Sequence, residues 1–319
     1  MYKSKHGVGV PLGYCMYCDS KHTLEDEHII PYFMAGGYIV PKGSCRRCAK
    51  ITGRFEGILA NTLFFGLRKR VNIQRRKKKK NKKSTEPKIT MLMNVAGVEI
   101  EKEVTEHELP GVFMWPWFPR AGLLAGRRAD ASLPFSEISV SLSNITRRIP
   151  RGPRRAGTVK IHMDPVYMMR LAAKIAHGCL HFSDDFPGFQ SLLGDVIKTG
   201  NFAQYFVGCP DADSSQITGA PDNTIHALGF AIAKLGGDDV YEYLVVTMHL
   251  LTEYGGPRYE VVAARRPQAG ASISPYSRTM FIPQFGTSEV APVNMILRAT
   301  FGDETGAVGS SDQMTSDLR

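Results

Sequence analysis

Residues 15–56 read CMYCDSKHTLEDEHIIPYFMAGGYIVPKGSCRRCAKITGRFE, and the pairs Cys15-Met16-Tyr17-Cys18 and Cys45-Arg46-Arg47-Cys48 decide how this stretch folds. Two residues between thiolates let both sulfurs reach one ion, and four thiolates complete a tetrahedral zinc site. Paired C-x-x-C motifs in a chain with no export signal read as metal ligands rather than disulfides. Between the pairs, Glu25 to Pro31 reads as a short strand ending near His28, Gly36-Gly37 as a loop, and 38–40 as a second strand. Ser44 reads as the N-cap of a helix whose Ile51, Phe55, Ile58, Leu59 and Leu63 recur at helical spacing. The expected unit is strand–strand–helix, clamped at both ends by zinc held on Cys15, Cys18, Cys45 and Cys48. Cys179 and Cys209 stand alone and read as core cysteines.

Cys15-x2-Cys18, Glu27-His28-Ile29-Ile30-Pro31, Gly36-Gly37 and Ser44-Cys45-x2-Cys48, followed by Gly53 and Glu56, resemble the HNH endonucleases. Within them the likeness is to the zinc-stapled branch of the ββα-metal family, over roughly residues 12–60. The resemblance implies that His28 is the general base that deprotonates the attacking water, a task suited to an imidazole with an ordinary pKa near 6.5. It implies that Glu27 ligates a catalytic Mg²⁺ or Mn²⁺, which would stabilise the leaving oxygen of a phosphodiester. Two positions depart from the family pattern. Ala49 stands where an Asn or His ligand is usual, and no Asn near 38–44 matches the middle residue of the HNH name. Glu56, about two helical turns beyond Ala49, is the carboxylate placed to supply the missing ligand, and Asp26 is a second candidate. The resemblance thus implies a metal-dependent endonuclease acting on DNA. The departures keep open a catalytically degenerate, zinc-stapled nucleic-acid-binding module.

Charge supports a polyanionic partner. The 319 residues carry a net +10, yet Arg68 to Lys83 alone holds eleven basic residues and no acid, leaving 29 basic against 30 acidic residues elsewhere. The chain is therefore near neutral with one cationic segment. Arg68, Lys69, Arg70, Arg75, Arg76, Lys77, Lys78, Lys79, Lys80, Lys82 and Lys83 show no apolar periodicity and read as a solvated grip on phosphates. A solubilising linker is the alternative. Contacts of this kind do not distinguish DNA from RNA. A second cluster, Arg147 to Arg155, carries prolines and a glycine that forbid a regular helix, so it reads as an exposed loop.

No run of about 20 apolar residues is present, so no membrane span is expected. The opening residues MYKSKHGVGVPLGYC hold no apolar secretory core, and the expectation is a soluble, cytoplasmic protein. Ile89–Val95 and Val98–Val104 alternate about Ala96-Gly97 and read as a β-hairpin. Phe113 to Pro119 is the most aromatic stretch, read as a buried anchor for that hairpin in preference to a base-stacking surface. Asp164-Pro165 opens a core helix through VYMMRLAAKIAHGCLHF. On it, His177 and His181 have a metal-compatible spacing, but no Glu lies between them in the metalloprotease arrangement. Phe189–Lys198 reads as a shorter helix ending at Gly200, and Gln204–Gly208, Thr224–Ala233, Val240–Leu250 and Arg258–Ala264 as strands of an antiparallel meander.

The expected fold class is α+β, an N-terminal ββα-metal unit with a four-cysteine zinc site followed by a larger α+β domain with an antiparallel sheet. The divisions are 1–66 for the nuclease unit, 67–88 for a basic linker, 89–160 for a β-rich middle, 161–301 for the C-terminal domain and 302–319 for a disordered tail. The overall arrangement also resembles stand-alone bacterial HNH proteins, relatives of modules joined to sensor domains in antiphage systems. That resemblance implies a defence effector whose C-terminal domain binds a protein partner or a second copy. It also implies a third reading, a subunit of a defence complex that cleaves only once a partner engages.

Overall fold

The computed structural model describes residues 7–34, 36–64, 68, 89–95, 98–104, 112–129, 139–144, 157–159, 164–182, 185–210, 224–235, 240–252, 256–268, 277–283 and 298–299. The basic run beyond Arg68, the 147–155 cluster and the 302–319 tail lie outside these residues.

The N-terminal unit is a hairpin and a helix. β1 (Leu24–His28) pairs antiparallel with β2 (Ile39–Cys45), and α1 (Arg46–Asn61) follows directly. The second strand is longer than the 38–40 expected, and the helix N-cap is Cys45 rather than Ser44. Ser44 instead pairs with Glu25 across the hairpin, and its hydroxyl donates to the Cys45 carbonyl at 3.3 Å. The hairpin carries a bulge opposite Asp26. There the Asp26 carboxylate accepts the Lys42 N–H at 3.0 Å, and Lys42 takes the left-handed φ of 51°. Asp26 thus braces the bulge. The Gly36 of the intervening loop is sterically required, since a Cβ there would lie 1.9 Å from the Ile30 carbonyl oxygen.

The hairpin of β3 (Ile89–Val95) and β4 (Val98–Val104) forms with the expected register, and β7 (Gly157–Val159) adds to the free side of β3. The aromatic stretch does not belong to that hairpin. It forms β5 (Val112–Trp117), which pairs with β6 (Ser139–Asn144). Its burial is as expected: Trp115 is fully buried, edge-on to Phe64 just beyond α1, and Tyr259 Oη donates to the Pro116 carbonyl at 3.0 Å.

α2 (Pro165–Phe182) is the axis of the fold. Its Asp164 carboxylate accepts the Val166 N–H at 3.0 Å, and Pro165 loses no bond at the first helical position. From Met168 to Leu180 every residue except Arg170 is buried. A helix apolar on all sides must be covered on all sides. The N-terminal unit and the C-terminal sheet supply that cover, with α1 and the strand Arg258–Pro267 both packed against it. Gly178 lets the unit come close, because a Cβ there would meet Ile29 at 3.2 Å.

Beyond α2, the expected second helix starts late. β8 (Gln190–Ser191) is an edge strand on β12 (Arg258–Pro267), and α3 (Gly194–Thr199) follows it, ending at Gly200 with φ 87°. Gln204–Gly208 is likewise not one strand. α4 (Ala203–Phe206) is a helical turn entered through a left-handed Phe202, and only β9 (Val207–Gly208) reaches β12. The meander forms as expected from β10 (Thr224–Lys234), β11 (Tyr241–Leu250) and β12. β13 (Ser277–Pro283) pairs with β10 and β14 (Arg298–Ala299) with β13, giving the order β14-β13-β10-β11-β12-β8, all antiparallel. The protein is α+β, with a ββα unit at one end and a larger antiparallel sheet at the other. One apolar cluster runs through both, from Ile29, Phe55 and Leu59 through α2 to Val246 and Val261. Among the described residues no helix is long and apolar enough to cross a membrane.

Candidate metal centre and the Glu27–Glu56–Lys174 cluster

The four cysteines of the two C-x-x-C motifs converge. All four sulfurs lie within 4.8 Å of one another. Cys18 Sγ is 3.7 Å from Cys45 Sγ and 3.6 Å from Cys48 Sγ. Four sulfurs at about 2.3 Å from a tetrahedral zinc stand about 3.8 Å apart along each edge, so the spacing fits such an ion and not a disulfide. The first pair sits on a tight turn in which the Cys18 and Asp19 N–H groups both donate to the Cys15 carbonyl, at 3.2 and 2.8 Å. Asp19 takes the left-handed φ of 59° that closes it. The second pair straddles the start of α1. Although burial opposes ionisation of the Cys45 thiol, hydrogen bonds led by the Cys48 backbone bring its pKa down to about 7. Cys179 and Cys209 are buried elsewhere, and burial pushes both thiols up to about 12, as inert core cysteines require.

Away from the sulfurs, the same unit holds a second cluster. Glu27 is buried at the end of β1, and His28 follows it half-buried, its ring edge-on to Tyr32 at 6.4 Å. The Glu27 carboxylate turns toward α2, where it meets Lys174. Glu56, on α1, points to the same place as Glu27. Lys174, from the middle of α2, lies between them. Its Nζ is 2.8 Å from Glu27 Oε1 and 2.7 Å from Glu56 Oε1, and it donates to the His28 carbonyl at 2.5 Å. Burial by itself would lower the lysine pKa, but Glu27 and then Glu56 outweigh it and raise it, so the ammonium stays charged. Tyr17 completes the cluster. Burial first, then the charges of Glu27 and Glu56, push its phenol well above the ordinary value, and its hydroxyl has no hydrogen-bond partner among the described residues.

Two histidines of the C-terminal half reach into the N-terminal unit. His177 Nε2 donates to the Met16 carbonyl at 2.8 Å, which leaves Nδ1 to accept from Ser191 Oγ at 2.7 Å. Its ring stacks on Tyr17 at 5.3 Å. His226 Nε2 donates to the Met34 carbonyl at 2.7 Å, while Nδ1 accepts the Leu251 N–H at 3.1 Å. Burial holds both neutral, with pKa values lowered to about 3 for His177 and about 4 for His226. Both nitrogens of His177 are engaged, so its spacing to His181 serves packing, with ring centroids 4.6 Å apart, and not metal ligation.

The residues singled out from the sequence therefore part company. Cys15, Cys18, Cys45 and Cys48 come together at one centre; Glu27 and Glu56 meet at another, on Lys174; Asp26 is at neither. Arg68, the one residue of the basic run among those described, donates from Nη1 to the Ala60 carbonyl at 3.1 Å near the end of α1 and lies over the Phe33 ring. Lys174 in this role was missed. The signal for it was a lysine in the middle of a helix apolar on every side, a position that demands buried countercharges. No protein-family model, curated protein or solved structure gives a significant match to the chain. What the fold and centre define is a mixed α+β protein whose N-terminal ββα unit carries a four-cysteine cluster fit for a metal ion such as zinc.

Proposed function

We propose that the chain is an HNH-type endonuclease acting on DNA, with zinc as the staple of its ββα unit, His28 as the general base and the 68–83 run as the grip on phosphates. The observation that carries this reading is His28 itself. It stands at the end of β1, partly buried, with its backbone carbonyl held by Lys174 and its strand pinned to β2 inside the cysteine-clamped hairpin. A base fixed at a partly accessible strand end is positioned to take a proton from water beside a bound phosphodiester. The same resemblance calls for Mg²⁺ or Mn²⁺ at Glu27 and Glu56. With the Lys174 ammonium on both carboxylates these residues do not fit a divalent ion.

That occupation favours the second reading, a zinc-stapled protein that binds nucleic acid without cutting it, or cuts only when a partner engages the C-terminal half. Cytoplasmic location and a role as a defence effector belong to the same proposal and rest on the resemblance alone. The deciding experiment is cleavage of supercoiled plasmid by wild-type and His28→Ala protein, with added Mg²⁺ or Mn²⁺ and without either. Nicking by the wild type and none by the variant, at equal zinc content, is the expected result. Equal nicking by both removes His28 from the reaction. Salt-sensitive DNA binding with no nicking in any condition selects the second reading.

A further inference from the structure

We infer that the Lys174 ammonium is a built-in replacement for the divalent cation of a ββα nuclease site, so that Glu27 and Glu56 hold this internal cation instead of a metal ion. The term replacement rests on the HNH-type reading of residues 15–56; the occupancy rests on geometry alone.

Three observations converge. First, the carboxylates bracket one point at the distances of an ammonium. The 2.8 and 2.7 Å separations from Lys174 Nζ are those of ammonium–carboxylate ion pairs. Magnesium draws its oxygens to about 2.0–2.1 Å, so a metal at this point would need both carboxylates to close inward. Second, the ammonium is enclosed by oxygen. Glu27 Oε1 and Glu56 Oε1 stand within ion-pair distance of its nitrogen, and it donates to the His28 carbonyl at 2.5 Å. Held inside this shell and buried, Lys174 is a positioning residue and touches no reacting atom. Third, the lysine has no way out. Its side chain is 1% exposed, and Leu171, Ala172, Ala173, Ile175 and Ala176 around it on α2 are fully buried. Releasing it would require α2 to leave the core, which is unlike the swing of a surface lid.

The chemical consequence is specific. A bound ammonium orients Glu27 and fixes the carbonyl of the base-bearing residue, but it supplies no metal-bound water and no Lewis acid. Two carboxylates and one ammonium also leave the cluster with a net negative charge, which a divalent ion would cancel. Phosphate attraction must then come from elsewhere in the chain.

The test is Mn²⁺ uptake by zinc-loaded, full-length protein, followed by the electron paramagnetic resonance of free Mn²⁺. The wild type is expected to take up no Mn²⁺ that depends on Glu27. Lys174→Ala, which removes the ammonium and leaves the carboxylates facing one another, is expected to bind Mn²⁺ about tenfold or more tightly than the wild type. The gain should disappear in Lys174→Ala/Glu27→Gln. Wild-type Mn²⁺ binding that is lost in Glu27→Gln overturns the inference, and so does a folded Lys174→Ala that gains none. Should Lys174→Ala fail to fold, the wild-type and Glu27→Gln titrations still decide. Plasmid nicking is scored separately, so a chain that never cuts DNA sinks the nuclease reading while leaving the Mn²⁺ result to stand or fall by itself.

Discussion

The ββα unit contains two places built to hold a positive charge, and they are assembled in opposite ways. The four-cysteine cluster is local. Its contacting sulfurs come from residues 27 and 30 apart in sequence, carried by one tight turn and one helix start. The carboxylate cluster is not. Glu27 and Glu56 belong to the unit, but the cation between them arrives from α2, 146 residues beyond the His28 carbonyl it also binds. The first place fits an ion taken from solution, which a chelator would remove. The second is completed by the chain itself and can be emptied only by mutation. One small unit thus carries a cluster fit for a metal at its own ends and a lysine that fastens it to the rest of the protein.

The largest effect should come from breaking the local site. Cys45→Ser, or exhaustive chelation, is expected to abolish the metal and unfold the ββα unit. Structural zinc contributes on the order of 10 kcal/mol in small zinc domains, as much as the whole stability of an ordinary one. Metal analysis with thermal melting checks this, and Cys179→Ser should keep the full metal content. If both variants keep their metal, the assignment of the four cysteines is wrong. The distant site should cost less. Lys174→Ala leaves two buried carboxylates without their cation, a loss of about 3–5 kcal/mol in urea unfolding. The triple variant Lys174→Met/Glu27→Gln/Glu56→Gln should recover most of it, because a buried ion cluster replaced by neutral groups is often close to isoenergetic. A triple variant as unstable as the single one would show that packing around Lys174, and not charge, is what was lost.

Much of this is legible in the sequence. The C-x-x-C pairs, the ββα order, the core helix behind Asp164-Pro165 and the strands of the meander follow from short-range spacing and period, and each forms. The errors fall where tertiary pairing overrides local pattern. Phe189 and its neighbours have helical spacing, yet Gln190–Ser191 is drawn out as an edge strand because β12 offers unpaired backbone there. Trp115 is buried as its aromatic surroundings suggest, but its strand partner lies in β6 rather than in the neighbouring hairpin. Glu27 and Glu56 do converge on a cation, but that cation is a lysine of the same chain.

The smallest predicted effect concerns the two histidines that tie the C-terminal half to the Met16 and Met34 carbonyls. Each is lowered in the folded chain, to about 3 and about 4, from an ordinary value near 6.5. Below pH 6.5 the unfolded chain therefore binds protons that the folded chain refuses. Their contribution is complete above pH 6.5 and is lost as the pH falls toward the folded values, by up to about 1.4 kcal/mol per pH unit per histidine. Urea midpoints at pH 7.5 and 5.5, with zinc saturating, should separate more for the wild type than for His226→Gln. Equal separations would mean that His226 does not carry this dependence.

By itself the sequence determined most of the elements and the four-cysteine centre, because periodicity and two-residue thiolate spacing are encoded within a few turns of chain. Only the tertiary structure decided what cation Glu27 and Glu56 hold, and that Met16, His28 and Met34 present their carbonyls to His177, Lys174 and His226. A buried charge must find its countercharge, but nothing in the local pattern of α2 names which carboxylates, far off in sequence, the packing will bring to it.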